Sequence, residues 1–217
     1  MESIKELAKE NSLLNTYLAE MRDVDRQKDA HRFRENLEAI GALMAYEISK
    51  ELSFRKNEVL TPLVLTHVNL IQDELVIVGI MRAALPFQSG MLRAFRNADA
   101  AFIAAYRKNT QGNDFEIVTE YEAKPNLNGK TVIIADPMCA TASSMITCYK
   151  KLTHGFKPKK VIFASVFASE QGTNNLRQAL PNFKHYIGVI DKDLNAESYI
   201  VPGLGDAGDL AFGEKLK

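Results

Sequence analysis

Residues that could bind a phosphorylated ligand follow several apolar segments of this 217-residue chain. Arg82 comes directly after "LVIVGIM", and Arg107 comes after "AAFIAAY". Asp136 follows "TVIIA", and Asp206 lies in the glycine-rich segment "YIVPGLGDAGDLAFG". Guanidinium groups bind phosphate oxygens, and carboxylates accept hydrogen bonds from hydroxyl groups. These residue types together indicate a ligand that carries both phosphates and hydroxyls.

The segment "ADPMCATASSM" (135–145) has almost only small side chains between an apolar run and a helical pattern. Small side chains let backbone N–H groups approach a phosphate at a helix N-terminus, and Thr141, Ser143 and Ser144 would add hydroxyl donors. In an alternative interpretation, Ser143 or Ser144 is an ordinary N-cap and Asp136 makes a local hydrogen bond. Absence of the pattern G-x-x-x-x-G-K-[ST] in this segment argues against a P-loop nucleotidase.

The other candidate residues also have ordinary structural interpretations. Arg82 and Arg107 could be ion-paired residues at the end of a sheet. Asp206 and Asp209 could be turn residues between glycines. Residue type alone leaves these alternatives open.

The elements that must position these residues follow from the hydrophobic pattern. Helical periodicity is present at 31–52 and at 143–153, and most of the β-rich runs are continuously apolar, as buried parallel strands are. These runs are "VLTPLVL", "LVIVGI", "AAFIAAY", "FEIVTEY", "TVIIA", "VIFASVF" and "YIGVI". The alternation predicts an α/β fold with a mainly parallel sheet, in which ligands bind beyond the carboxyl ends of the strands. The polar stretch "RKNTQGND" (107–114) predicts an exposed hairpin or lid.

Composition narrows the class of protein. Lys plus Arg and Asp plus Glu both total 27, so no overall positive field attracts nucleic acid or a membrane surface. The two cysteines suit reduced thiols, the four histidines lack metal-ligand spacing, and the N-terminus is unlike a signal peptide. We expect one cytoplasmic domain over residues 1–217, with residues 1–20 as an N-terminal helical extension, and neither nucleic acid nor membrane as a partner.

Several of these segments resemble motifs of the uracil phosphoribosyltransferases. "ADPMCATASS" is similar to the family's D-P-M-L-A-T-G-G-S loop, and "YIVPGLGDAGDLAFG" is very similar to its C-terminal uracil loop. "GIMRAALPF", "AYRKN" and "RFRENLEAIGALMAYE" resemble the I-L-R-A-G-L, Y-R-N and early R-F-R…L-x-Y-E segments. The similarity runs in order from about residue 20 to the C-terminus.

The resemblance implies the type I phosphoribosyltransferase fold, a mainly parallel twisted sheet flanked by helices, with a β-hairpin lid and a C-terminal hood loop. The implied enzyme activity transfers the phosphoribosyl group of 5-phospho-α-D-ribose 1-diphosphate (PRPP) to N1 of uracil. The products are UMP and diphosphate. Mg²⁺ is the implied cofactor, bound through the diphosphate without direct side-chain ligands, with Asp206 reaching it through water. A homodimer or higher homo-oligomer and GTP, which acts on some members of the family, are the implied partner and effector.

The family motifs also imply roles for individual residues. The catalytic residues would be Arg107, Asp136 and Asp206. Uracil would be framed by Ile200, Gly205, Asp206 and Ala207. PRPP would be bound by Arg82, Arg107, Asp136, Pro137, Met138, Cys139, Ala140, Thr141, Ala142, Ser143, Ser144 and Asp206.

The chain departs from the family pattern at a few positions. Ala142 and Ser143 stand where the family usually has two glycines, and Ala84 stands where it has glycine after Arg-Ala. Alanine and serine keep their N–H donors, but a positive φ at either loop position would cost about 1 kcal/mol or more. "RKNTQGND" also differs from the family's R-N-E-E-T continuation.

Two other functions stay open on the sequence. One is a non-catalytic regulator that senses PRPP or UMP and binds RNA, and the other is a phosphoribosyltransferase for a different base. The intact "GLGDAGD" favours uracil, whereas the altered "ATASS" favours a weakened enzyme.

Overall fold

A computed structural model describes residues 4–109 and 115–215, and within them every side chain except those of 105–109 and 115–120. Short 3-10 turns occur at Leu7–Lys9 and Arg26–Lys28. In chain order the helices and strands are β1 (Ile4–Glu6), α1 (Leu13–Arg22), α2 (Ala30–Ser49), β2 (Phe54–Leu60), β3 (Leu65–Ile71), β4 (Leu75–Met81), α3 (Leu85–Ala94), β5 (Asp99–Asn109), β6 (Phe115–Ala123), β7 (Thr131–Ala135), β8 (Met138–Cys139), α4 (Ser143–Thr153), β9 (Lys160–Ser169), α5 (Glu170–Ala179), β10 (Lys184–Asp191), β11 (Asp193–Leu194), β12 (Ile200–Val201) and α6 (Ala207–Phe212).

The main sheet has the strand order β1-β10-β9-β7-β4-β5-β6, and the short β8 also pairs with β9. All neighbouring strands run parallel except β5 and β6, which form an antiparallel hairpin at one edge. This confirms the predicted α/β fold with a mainly parallel sheet. The carboxyl ends of β4, β7, β9 and β10 therefore meet at one edge of the sheet.

An apolar layer on each face of the main sheet explains why the sequences of the central strands are continuously hydrophobic. Alternate residues such as Ile77 and Ile133 pack with α1, α2, α3 and α6 on one face. Their neighbours Val78 and Ile134 pack with α4 and α5 on the other face. Both faces of the sheet are thus covered, so a strand in it has no polar side to show in its sequence.

The predicted helices at 31–52 and 143–153 are confirmed as α2 and α4. The prediction that "VLTPLVL" forms one strand is wrong, because β2 ends at Leu60 and β3 begins at Leu65. Pro62 has no N–H to donate within a strand pair. The Thr61 hydroxyl instead accepts hydrogen bonds from the backbone N–H groups of Leu63 and Val64, which closes a turn.

The β2–β3 pair forms an antiparallel hairpin of its own, separate from the main sheet. Its apolar side chains are exposed along both strands and at the tip, where Leu60 and Leu63 are 80% and 94% exposed. An isolated two-stranded hairpin is only marginally stable in water, and exposed apolar surface of this kind is typical of an interaction site.

The predicted N-terminal extension is helical only in part. Residues 13–22 form α1, which buries Leu14, Leu18 and Met21 against the sheet. Ile4–Glu6 instead form β1, which pairs in parallel with β10. A free edge of β10 has unpaired backbone groups, and β1 satisfies them.

Candidate active site

The predicted ligand-binding residues lie along the carboxyl edge of the main sheet. Arg82 follows β4, Asp136 follows β7, and the segment from β12 to α6 comes after β10. Arg107 lies inside β5, paired with Ile117 of β6, because the β5–β6 hairpin continues beyond the end of β4. The expectation that Arg107 follows the end of a strand is therefore wrong. The side chain of Arg107 lies outside the part of the chain whose side chains are described.

Arg82 connects this edge of the sheet to the C-terminal helix. Its Nη2 donates to Asp209 Oδ1 at 2.6 Å and to the carbonyl oxygen of Gly213 at 3.0 Å. Its Nε is buried and has no hydrogen-bond partner among the described residues. The interpretation of Arg82 as an ion-paired residue is therefore correct, while an unsatisfied buried donor leaves room for an anionic ligand.

Asp206 is the N-cap of α6. Its Oδ1 accepts hydrogen bonds from the backbone N–H groups of Gly208 at 2.8 Å and Asp209 at 3.0 Å. The carboxylate thereby sets the start of the helix that carries Asp209, the partner of Arg82. Asp206 therefore has the structural role of a turn residue, and both of these hydrogen bonds use the same oxygen, Oδ1.

The Asp136 carboxylate is half-buried and accepts a hydrogen bond from the Met138 N–H at 3.2 Å. Burial raises its pKa from 3.8 to about 7, the Met138 hydrogen bond opposes that shift, and the charge of Asp206 adds to it. Like charges affect each other's pKa over a short distance, so the effect of Asp206 indicates that the two carboxylates lie near each other. A carboxyl group with a pKa near neutrality at the end of a strand is typical of functional sites.

The loop between Asp136 and α4 ends in a strained residue. Ala142 has φ 62° and ψ 1°, the left-handed region, and it precedes the helix that begins at Ser143. Ala142 is the N-cap of this helix, so the interpretation of Ser143 or Ser144 as the N-cap is wrong, and the Ser143 N–H donates to the Thr141 hydroxyl at 3.5 Å. The hydroxyls of Thr141 and Ser143 instead lie 2.9 Å from each other.

The departures from the family pattern have unequal consequences. Of the two residues in glycine positions, Ala142 has a positive φ, whereas Ser143 is the first residue of α4. Ala84 has φ −73° and is fully buried, so it fits without backbone strain. The expected conformational cost therefore falls on Ala142 alone.

The loop rests on the start of α5. The Ser169 hydroxyl donates to the Ala140 carbonyl and accepts from the Gly172 N–H, and Asn175 donates to the Thr141 carbonyl at 3.1 Å. A Cβ on Gly172 would lie 2.4 Å from the carbonyl oxygen of Cys139. Any larger residue at 172 would push the loop away from α5.

Sequence reasoning missed these supporting residues. A serine that precedes Glu170 at the end of an apolar run is an N-cap signal, which could have identified Ser169. Gly172 and Asn175 have no comparable signal, since their importance comes from contacts between distant segments. Asp209 was a candidate turn residue, but no signal in the sequence indicated its ion pair with Arg82.

Several predicted site residues turn their side chains into the core. Pro137, Cys139 and Ala142 are buried in the first loop, and Ile200 and Ala207 are buried in the C-terminal segment. Burial raises the pKa of the Cys139 thiol, which keeps it protonated and unreactive. Any contact that these five residues make with a ligand would therefore involve the backbone.

The C-terminal segment is a compact loop. β11 and β12 form a short antiparallel pair, and Gly203 and Gly205 follow with φ 49° and 95°. A Cβ on Gly203 would lie 2.0 Å from the carbonyl oxygen of Ile200, so only glycine fits there. The turn leaves backbone N–H and C=O groups, rather than side chains, to meet a ligand.

Comparison with known proteins identifies the family. A family model described as uracil phosphoribosyltransferase matches residues 8–214. A uracil phosphoribosyltransferase of Porphyromonas gingivalis is 47% identical over 97% of this chain and 98% of its own length. Another, of Pyrococcus furiosus, is 36% identical over 92% of this chain and 86% of its own length.

Solved structures agree on the fold. A protein from Aquifex aeolicus is 28% identical with a TM-score of 0.88, covering 99% of this chain and all of its own. A hypoxanthine phosphoribosyltransferase from Staphylococcus aureus is 14% identical with a TM-score of 0.52, covering 74% of this chain and 76% of its own, and shows the fold alone. The predicted type I phosphoribosyltransferase fold is confirmed, and the chain belongs to the uracil phosphoribosyltransferase family.

Proposed function

We propose that this chain transfers the phosphoribosyl group of PRPP to N1 of uracil, which gives UMP and diphosphate in pyrimidine salvage. In this reaction the bond from C1 of ribose to the diphosphate breaks and its electron pair leaves with the diphosphate. The N1–C1 bond forms, and the N1 proton is lost to solvent. The observation that carries the proposal is that three segments converge at one edge of the sheet. The 2.6 Å ion pair between Arg82 and Asp209 joins the end of β4 to the C-terminal segment, and the charge of Asp206 in that segment contributes to the raised pKa of Asp136.

The loop 136–144 would bind the ribose and its 5′-phosphate. Asp136 would accept hydrogen bonds from the ribose hydroxyls, and these donors would offset the burial that raises its pKa. The half-buried hydroxyls of Thr141, Ser143 and Ser144 and the backbone N–H groups at the start of α4 would bind the phosphate. Pro137, Met138, Cys139, Ala140 and Ala142 would shape this cradle through their backbone.

Arg82 and Arg107 would stabilise the departing diphosphate. Negative charge grows on that group as its bond to C1 breaks, so fixed guanidinium groups favour the transition state. A diphosphate oxygen could satisfy the buried Nε of Arg82, which has no partner within the described part of the chain. The Asp209 ion pair meanwhile holds the guanidinium at 2.6 Å and limits its freedom.

Uracil would lie against the segment that includes Ile200, Gly205, Asp206 and Ala207. Its planar edge presents an acceptor, a donor and an acceptor, which backbone N–H and C=O groups can match. Cytosine would leave some of those backbone groups unpaired, at a cost of about 1–3 kcal/mol for each buried polar group. The buried side chains of Ile200 and Ala207 suit this backbone-only recognition.

Mg²⁺ fits the charge of this site. Burial, and to a smaller degree the charge of Asp206, raises the pKa of Asp136, and a nearby divalent cation would favour its ionised form. Among the described residues no three His, Cys, Asp or Glu side chains come together to hold a metal ion. Diphosphate oxygens and water would therefore supply most ligands, with Asp206 acting through water. When bound, the cation would stabilise the charge of the leaving diphosphate.

We also propose that the chain works as a homodimer or higher homo-oligomer, with residues 1–217 acting as one domain. The exposed apolar hairpin of β2 and β3 supports self-association, because a second copy would cover it. None of the helices in the described ranges combines the length and apolar character needed to cross a membrane. Cys139 and Cys148 are both free thiols, which suits the proposed location in the cytoplasm.

GTP is the candidate effector of this enzyme.

UMP formation from uracil and PRPP with Mg²⁺ tests the proposal. We expect turnover by the wild type, loss of most turnover in Asp136→Asn, and little or no product with cytosine or hypoxanthine. Asp73→Asn is a matched control, because Asp73 is a buried carboxylate at the opposite end of the strands, paired with Lys159 at 2.6 Å. A wild type that binds PRPP but makes no UMP would instead support the regulator. Turnover with another base and none with uracil would support the alternative of a phosphoribosyltransferase for a different base.

A further inference from the structure

A hydrogen-bonded network connects the end of α1 to the C-terminal loop. Arg22 Nη2 donates to Asp191 Oδ1 at 2.7 Å, and Arg22 Nη1 donates to the Gly203 carbonyl oxygen at 3.1 Å. The Gly203 N–H donates in turn to Asp191 Oδ2 at 3.1 Å. Arg22 thus forms a closed cycle with two groups of the C-terminal region, in which each oxygen of the Asp191 carboxylate has its own donor.

The surroundings of this cycle allow little freedom. The Asp191 side chain is 6% exposed and that of Arg22 is 24% exposed. The guanidinium carbon lies 4.7 Å from the ring centroid of Phe167, which is fully buried. Only arginine offers two separate donor nitrogens on a flat group that stacks on a ring. A lysine at position 22 would keep the positive charge but would have a single donor nitrogen and no flat group to stack on Phe167.

The network holds both backbone groups of Gly203. This residue turns the chain between Ile200 and Gly205, and its φ of 49° and its close approach to the Ile200 carbonyl exclude other residues. Because its N–H is bonded to Asp191 and its carbonyl to Arg22, the orientation of this peptide turn depends on that ion pair. A shift of Arg22 or Asp191 would therefore move the backbone on either side of Gly203.

A second contact reaches the same loop from the N-terminal segment, which comprises α1 and the 3-10 turn that follows it (residues 13–28). With its amide nitrogen turned toward the two nearby carbonyls, Gln27 donates to Leu204 at 3.0 Å and to Met21 at 3.1 Å. Gln27 lies in the 3-10 turn just after α1. Two residues of the N-terminal segment thus hold successive residues of the loop, Gly203 and Leu204.

We infer that Arg22 and Asp191 are positioning residues for the base-binding loop, and that the N-terminal segment is thereby part of the uracil site. The inference rests on the proposed function, in which the backbone around Ile200 and Gly205 reads the base. The hydrogen bonds of Arg22, Asp191 and Gly203 with one another do not involve Arg82 or the 136–144 loop. The connection to that loop is indirect, through Phe167, whose ring stacks on Arg22 and whose N–H donates to the Pro137 carbonyl at 2.8 Å. Loss of the network should therefore affect uracil more than PRPP.

Steady-state kinetics of Arg22→Lys, Asp191→Asn and Gln27→Ala test this inference, with KM measured separately for uracil and for PRPP. The amide introduced by Asp191→Asn has a single acceptor oxygen for two donors, so this change breaks the cycle as Arg22→Lys does. We expect a rise in KM for uracil of about tenfold or more, the effect of one hydrogen bond to a charged group, with KM for PRPP within about twofold. Gln27→Ala should shift KM for uracil in the same direction by less.

The control variant is Asp73→Asn. Asp73 accepts from Lys159 Nζ at 2.6 Å and from Thr131 Oγ1 at 3.0 Å, so it matches Asp191 as a buried, cation-paired carboxylate. This change should lower the melting temperature while leaving both KM values near those of the wild type. The double variant Arg22→Lys/Asp191→Asn should resemble the more severe single variant, because both changes break one unit.

The outcomes separate this inference from the proposed function. A wild type without UMP formation would overturn both. An active wild type whose Arg22→Lys and Asp191→Asn variants melt lower but keep the wild-type KM for uracil would overturn the inference alone. Equal increases in both KM values would also overturn it. If Arg22→Lys unfolds below the assay temperature, KM for uracil in Gln27→Ala tests the inference, because this variant leaves the ion pair between Arg22 and Asp191 intact. An unchanged KM for uracil in that variant would then overturn the inference.

Discussion

Ala142 shows how one side chain affects the backbone of the proposed phosphate loop. The left-handed conformation at φ 62° brings its Cβ close to the following carbonyl oxygen, which costs about 1–2 kcal/mol relative to glycine. Ser143, which occupies the second glycine position of the family motif, has ordinary helical geometry in α4. The chain thus tolerates strain at one residue of the loop and keeps both N–H donors.

Ala142→Gly should stabilise the protein, because glycine adopts the left-handed region without this cost. We expect a gain of about 1 kcal/mol in the free energy of unfolding, which for a chain of this size is about 2–4 °C in melting temperature. Ser143→Gly is the matched control and should bring no such gain, since Ser143 already has ordinary helical geometry. Thermal and urea unfolding of both variants measure this, and destabilisation by Ala142→Gly would contradict the strained conformation.

Asp136 should make the stability of the ligand-free protein depend on pH. Its folded pKa of about 7 lies above the ordinary 3.8, so the folded protein binds this proton more tightly than the unfolded chain does. Protonation of Asp136 therefore stabilises the folded protein at low pH, and this contribution to the free energy of unfolding is lost as the pH rises from 3.8 to about 7. We expect the melting temperature of Asp136→Asn, relative to the wild type, to rise with pH between those two values and to stay constant above them. A difference independent of pH would show that folding does not raise the pKa of Asp136.

The β2–β3 hairpin combines apolar side chains with a high exposed fraction. Val59, Leu65, Val68, Leu70 and Ile71 are all at least 36% exposed, although their β-branched and aliphatic character suits burial. The hairpin contributes nothing to either apolar layer of the main sheet. Such an element is stable when another surface covers it, which supports the proposed association with a second copy.

Replacing Leu60 and Leu63 with serine should weaken that association. Sedimentation of the wild type should give at least twice the 24.2 kDa mass of one chain, and the double variant should shift toward the monomer because it loses apolar area at the interface. Val24, 64% exposed and outside the hairpin, supplies the control Val24→Ser, which should keep the wild-type mass. A monomeric wild type would rule out the dimer.

At the scale of the whole molecule, ligand binding should be measurable as stability. A ligand present at 100 times its dissociation constant adds about 2.7 kcal/mol, or about 5–10 °C for a protein of this size. We expect PRPP with Mg²⁺ to raise the melting temperature by that amount. Chelation of the metal should remove most of the shift, because PRPP would then lack its counter-charge.

Asp136→Asn is the control for this measurement and should show a smaller shift with PRPP and Mg²⁺. An equal shift with and without chelator would show that PRPP binds without the cation. This readout needs no turnover, so it also applies to a protein that binds PRPP without catalysing transfer.

Much of the architecture was predictable because it depends on local patterns. The continuous runs of β4, β7, β9 and β10 and the periodicity of α2 and α4 each arise from residues that are close in sequence. The edge of the sheet where ligands bind follows from the parallel order of these strands. The error at "VLTPLVL" arose because an apolar run was given more weight than Pro62, which prevents regular strand pairing.

The sequence by itself determined the fold class, the family motifs and the residue types that would meet PRPP and uracil, since these depend on neighbouring residues. Only the tertiary structure decided which of them act together. Arg82 pairs with Asp209 across 127 positions and Arg22 with Asp191 across 169 positions, and no local pattern encodes such contacts. The left-handed backbone of Ala142 and the exposed hairpin were likewise decided by packing, because strain and burial depend on what surrounds a residue in space.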